Sequence, residues 1–175
     1  MRKINIIILV LVMGCLFLRA AYSGESQELY HEGLNFARSG DVDFAFMRYQ
    51  SLLENCPDAE FIEDVLFAVG EHYFSISDYY NAAMTFNNFI NSYSESDALP
   101  FALNYLAKIF RQAGKEDSAL NFEKAIISFK QTSLLFSNFK EHAYTSSFYK
   151  KYKAVYFIDR VEIYINNELS AKIPL

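Results

Sequence analysis

The chain is short of the residues from which disulfide frameworks, metal centres and phosphate loops are built. It has two cysteines, Cys15 and Cys56, with no second cysteine near either, so no framework of several bridges holds it. Its three histidines, His31, His72 and His142, contain no His-x-x-x-His spacing, and neither a metal site nor a cofactor is expected. The six glycines form no phosphate-cradling loop and no Gly-x-Ser-x-Gly nucleophile turn. Without an acid–base pair set apart by its spacing, the chain reads as a non-enzyme with no catalytic residue. Only three prolines interrupt it, while 52% of the residues are hydrophobic and 17% aromatic, enough for the core of one domain.

A long hydrophobic run is also missing. Met1-Arg2-Lys3 is followed by an apolar stretch from Ile4 to Leu18, broken only by Asn5, Gly14 and Cys15. A membrane-spanning helix needs about 20 such residues, so residues 1–23 read as an export signal. Two cleavage readings compete. Val12-Met13-Gly14-Cys15 resembles a lipobox, which would put a lipid on Cys15 and attach the protein to a membrane; Ala21-Tyr22-Ser23 fits small-x-small cleavage, which would leave a soluble protein starting at Gly24. The apolar Leu16-Phe17-Leu18 weighs against the first, and an uncleaved anchor is a third option. Each places the protein outside the cytoplasm, in the periplasm or held to a membrane. Cys56 reads as a small packing residue at a helix end.

Positive charge is scarce where it would matter for nucleic acid. Residues 24–129 hold 6 basic and 17 acidic side chains, net −11, and residues 130–175 hold 7 and 4, net +3. An acidic body is a poor match for a phosphate backbone, and nucleic acid is not expected as a partner.

What the chain does have is a repeat. Leu66, Gly70, Tyr73, Ser77 and Ala82 return 37 residues earlier as Leu29, Gly33, Phe36, Gly40 and Ala45, and 37 residues later as Leu103, Ala107, Phe110, Gly114 and Ala119. In the middle copy Leu66, Val69, Gly70 and Tyr73 mark one helical stripe and Ala82, Phe86, Phe89 and Ile90 a second. Small residues at Gly70 and Ala82 let two antiparallel helices approach. Ser77-Asp78 and Gly40-Asp41 are turn and cap types. One such pair cannot bury both its sides, so three copies over residues 24–130 are expected to stack.

With Tyr49 and Pro57, these markers resemble the tetratricopeptide repeat family over residues 26–130. The joins Asn55-Cys56-Pro57-Asp58-Ala59 and Ser92-Tyr93-Ser94-Glu95-Ser96 look like the Tyr-Pro-x-Ser joins of its bacterial envelope members, among them outer-membrane assembly lipoproteins and Tol-Pal-associated proteins. The period exceeds the family's usual length of about 34, Ser94 replaces a proline, and Glu123 stands where Tyr49 and Phe86 put an aromatic, which makes the third copy a weaker or terminal one. The resemblance implies an all-α, right-handed stack of antiparallel helix pairs. It also implies that one stripe of the first helices lines a concave binding groove: Tyr30, Leu34 and Arg38, then Phe67, Glu71 and Phe74, then Asn104, Lys108 and Arg111. Aromatic anchors beside fixed charges suit a peptide or partner protein. The competing reading is that Tyr30, Phe67 and Phe74 pack between successive repeats.

The tail changes character. Apolar spacing from Ala119 to Phe136 extends a long helix, Ser137-Asn138 breaks it, and Tyr144, Phe148, Tyr152 and Val155 recur at helical intervals, so residues 131–158 are expected to form a helical cap with Lys150, Lys151 and Lys153 on its solvated faces. Over residues 159–175 the period is that of a strand. Val161, Ile163 and Ile165 alternate with polar neighbours, as do Leu169, Ala171 and Ile173, with Asn166-Asn167 between. A short β-hairpin results, although Ile158, Val161, Ile165 and Leu169 also fit a helix. A two-residue loop would pair Ile165 with Glu168; a three-residue loop pairs Ile165 with Leu169, Ile163 with Ala171 and Val161 with Ile173 and keeps one face apolar. The expected function is a non-catalytic protein-binding scaffold of the bacterial cell envelope. The alternative is a structural subunit of an obligate envelope complex with no exchangeable ligand.

Overall fold

A computed structural model describes residues 24–128 and 140–175. The export signal, Cys15 with both cleavage readings, the stretch 129–136 of the expected long helix, its break at Ser137-Asn138 and residues 131–139 of the expected cap lie outside the described residues. Helix α1 covers residues 24–39. It is followed by α2 (Val42–Asn55), α3 (Ile62–Ser75), α4 (Tyr79–Ser92), α5 (Leu99–Gln112) and α6 (Glu116–Ser128), and consecutive helices pack on one another.

The repeat is visible in the backbone. Helices α2, α4 and α6 begin 37 residues apart at Val42, Tyr79 and Glu116, as α3 and α5 do at Ile62 and Leu99. The turn inside each pair is closed by one and the same bond: the amides of Asp41, Asp78 and Lys115 donate to the carbonyls of Phe36, Tyr73 and Phe110, each at 2.9 Å. That turn needs a left-handed residue, supplied by Gly40 (φ 89°), Ser77 (φ 63°) and Gly114 (φ 72°). Asp78 then caps α4 by accepting from the Asn81 amide. The small residues of the stripes set the approach of the helices. Tyr49 of α2 lies against Gly33, and Phe86 of α4 lies against Gly70.

The expected all-α class is corrected by the tail. The protein is mostly helical and ends in a four-stranded antiparallel sheet in the order β1 (Lys140–Thr145), β2 (Lys151–Tyr156), β3 (Arg160–Ile165) and β4 (Glu168–Pro174). Residues 140–145 and 151–156, expected in a helical cap, are therefore strands. The aromatics of that region satisfy both periods, and burial decides between them: Tyr152, Ala154 and Tyr156 alternate inward on β2 and are all buried. The C-terminal hairpin is present, with a register that joins the two sequence readings. Asn166 (φ 51°) and Asn167 (φ 68°) form a two-residue loop that pairs Ile165 with Glu168. A bulge next to Tyr164 then shifts the ladder, so that Ile163 meets Ala171 and Val161 meets Ile173 on one apolar face.

That apolar face rests on the helices. Phe67 of α3, Phe86 and Phe89 of α4, and Phe101, Tyr105 and Leu106 of α5 share one core with Tyr152, Ala154, Tyr156, Val161, Ile163 and Ile173 of the sheet. A second core, of Ala45, Tyr49, Leu52, Cys56, Val65, Ala68 and Val69, joins α2 to α3.

Candidate functional site

The nine groove residues named from the sequence occupy the first helix of each pair, and the protein's own tail meets most of them. On α1, Tyr30 stacks on Phe61 at 4.2 Å between ring centroids, Leu34 is half-buried, and exposed Arg38 donates to the Tyr149 hydroxyl at 3.0 Å. On α3, Phe67 is fully buried and meets Tyr144 and Tyr152 of the sheet edge-on at 5.1 and 5.4 Å. Phe74 meets Tyr105 of the next repeat at 4.7 Å. On α5, the Asn104 amide and the Lys108 ammonium both reach the Ser170 hydroxyl, at 3.4 and 2.7 Å. Arg111 turns away to α6, with ion pairs of 3.0 Å to Glu116 and to Glu123.

Arg111 thus explains an oddity of the third copy. Glu123 stands at the position of Tyr49 and Phe86 and pairs with the Arg111 guanidinium, and the position of Gly33 and Gly70 is Ala107 in this copy. The two cations of this helix part ways: Lys108 reaches the sheet and Arg111 reaches α6.

Among the described residues Glu71 is the most enclosed charged group. It is 0% exposed, accepts from the Tyr152 hydroxyl at Oε1, and lies 3.4 Å from the Lys150 ammonium. Tyr152 in turn shares a 2.7 Å hydrogen bond with Tyr105. Burial pushes the Glu71 carboxyl above the ordinary carboxylate range, against the opposing pull of Lys150 and Tyr152. Burial likewise pushes Lys108 below the usual lysine range. Through Tyr152 and Lys150 this buried carboxyl ties helix α3 to the C-terminal sheet. Other bonds join the helices to the tail: Tyr144 donates to Asp64 at 3.0 Å, Tyr49 to the Ser147 carbonyl at 3.1 Å, and the His142 ring lies 2.8 Å from the Asp97 carbonyl.

Sequence reasoning missed the partners of the stripe: Tyr144, Tyr152, Lys150 and Ser170. Two signals pointed to them, the alternation of Tyr152, Ala154 and Tyr156, and a basic tail beside an acidic body. Competing helical spacing concealed the first.

Surfaces left open lie elsewhere. A cleft of about 600 Å³ between the start of α3, the join before α5 and β1 is lined by Glu60, Glu63, Asp64, Glu95, Asp97, Tyr93 and Tyr144. A second, apolar recess lies between the start of α4 and the end of α5. Phe44 and Met47 of α2, Tyr80 and Met84 of α4 and Leu120 of α6 are exposed. Among the described residues no group of three or more His, Cys, Asp or Glu is placed to hold a metal ion, and no helix is long and apolar enough to cross a membrane. Compared with known proteins, the chain matches no family model and no curated protein.

Proposed function

We propose that the protein is a non-catalytic scaffold of the bacterial cell envelope, a tetratricopeptide-like right-handed stack that works as a structural subunit and meets its partner on the outer faces of the second helices. The observation that carries this reading is the cover on the first-helix stripe. Phe67, Glu71 and Asn104 are buried, with Tyr152 and Ser170 of the chain's own sheet against them. A peptide entering there would have to displace a sheet that shares a core with the helices, whereas Phe44, Met47, Tyr80 and Met84 stand exposed. Protein interfaces are enriched in such aromatic and methionine side chains and depleted of charge at their centres. The export signal read at residues 1–23 supports the location.

The test is site-specific photocrosslinking in the native envelope, with a benzophenone amino acid at Phe44, Met84 or Phe74. The outer positions should each trap the same discrete protein, and Phe74 should trap none. A product from Phe74 alone would return the exchangeable groove to first place.

A further inference from the structure

Equivalent gaps in a repeat should be filled alike, and two of them here are not. Between α2 and α3, Phe46 stacks on the His72 ring at 3.9 Å and meets Tyr73 edge-on at 5.2 Å. One period later Phe46 becomes Ala83, Tyr73 becomes Phe110 and Ile76 becomes Ala113. The Phe46 ring is thus lost from the gap, His72 becomes Ile109, and Val42 and Asp43 become Tyr79 and Tyr80; a recess of about 380 Å³ lies there, walled by Tyr79, Tyr80, Ala83, Ile109, Phe110 and Ala113. Its size falls at the lower end of ligand pockets, which run from about 300 to 1,000 Å³.

The rim is as specific as the walls. Lys115 stands where the preceding repeat has Asp78. Its ammonium lies 5.5 Å from the Phe110 ring centroid and makes no ion pair among the described residues. Helix α4, which forms one wall, carries no charged residue in its 14, and its Tyr80 is 74% exposed.

We propose that this recess seats an aromatic side chain of a partner protein, with a carboxylate of that partner beside the ring. The position equivalent to Ala83 holds the Phe46 ring, and the recess is itself walled by the rings of Tyr79, Tyr80 and Phe110. Among the described residues Lys115 is the one cation lining the recess and makes no ion pair, which selects an acidic neighbour. The same ligand would be repelled from the acidic cleft at Glu63 and Asp97. This inference rests on the reading of the protein as a partner-binding scaffold and names the chemistry of the contact.

The probes are N-acetylphenylalanine, its C-terminal amide and N-acetylaspartate, each titrated into the isotope-labelled whole chain and followed by amide NMR. N-acetylphenylalanine should shift the signals of Ala83, Ile109 and Ala113 with an affinity on the order of millimolar, the amide should bind several-fold more weakly, and N-acetylaspartate should leave those signals in place. Lys115→Gln should abolish the preference for the carboxylate. Ala83→Phe should fill the recess as Phe46 fills its own gap and abolish binding; Ala113→Ile, restoring the residue of the equivalent position, gives the same test should the first variant fail to fold. No shift at these residues, equal binding of acid and amide, or binding that survives a folded filled variant would overturn the proposal. A wild-type dimer dissociated by the filling substitution would overturn it too, since the occupant would then be a second copy. None of these readouts needs the partner. Loss of probe binding with intact crosslinks at Phe44 and Met84 rejects the recess alone, and binding without crosslinks rejects the scaffold alone.

Discussion

The Phe86 ring lies where a side chain on Gly70 would begin: a Cβ there would come within 2.8 Å of the ring. Phe86 is fully buried and stacked on Tyr105 at 4.8 Å, so it cannot swing aside. Gly70→Ala gains about 1 kcal/mol in helix propensity and loses about 1 to 3 kcal/mol to overpacking. The expected result is a net loss in wild type that shrinks or reverses when Phe86 is replaced by Leu. A denaturation double-mutant cycle reads the coupling; additive effects would mean the ring and the glycine are not in contact.

Ser77 performs the turn that glycine performs in the other two copies, with φ 63°. Its hydroxyl contributes only an exposed 3.3 Å bond with Tyr79. Ser77→Gly should therefore stabilise the protein by about 0.5 to 1 kcal/mol, raising the melting midpoint. The matched control is Gly114→Ser, which should lower it, and a calorimetric scan of the pair checks both signs.

Glu71 makes stability depend on pH in a stated direction. In the unfolded chain its carboxyl titrates near the ordinary value of about 4.3, and in the folded protein burial holds it higher. A raised folded value means a contribution fully present below the unfolded value and lost as pH rises through the folded one. Glu71→Gln stays neutral throughout, and Lys150, one-third exposed, can remain solvated. The variant should gain on wild type as pH is raised from about 4 towards neutrality. Midpoints that differ by a constant amount across that range would reject the assignment.

Removing residues 140–175 should uncover Phe67, Phe101 and Tyr105, which share their core with the sheet. The helices would then present an apolar face, so the truncated chain should bind a hydrophobic dye and lose cooperative unfolding. A truncated chain with the wild-type melting profile and no dye binding would show instead that the helices are self-sufficient.

The local half of this protein was legible in its residues. Helix pairs, turn positions and the glycine stripe follow from interactions within about 37 residues, and each leaves a periodic mark: Gly33 with Tyr49, Gly70 with Phe86, the three left-handed turn positions. Even the hairpin loop at Asn166-Asn167 is a local signal. What covers the stripe is not local. The bond between Lys108 and Ser170 spans 62 residues and that between Glu71 and Tyr152 spans 81, and no period in a single sequence links such positions. The region around Tyr144 and Tyr152 read as a helix from its spacing, and a long apolar surface on α3, α4 and α5, wide enough to bury alternate side chains, selected the strand. The sequence by itself determined the repeat and its turns, because short-range sterics and side-chain size act within one copy. The tertiary structure decided that the first-helix stripe is an internal surface, because burial of Phe67 and Glu71 depends on which distant segment comes to rest on them.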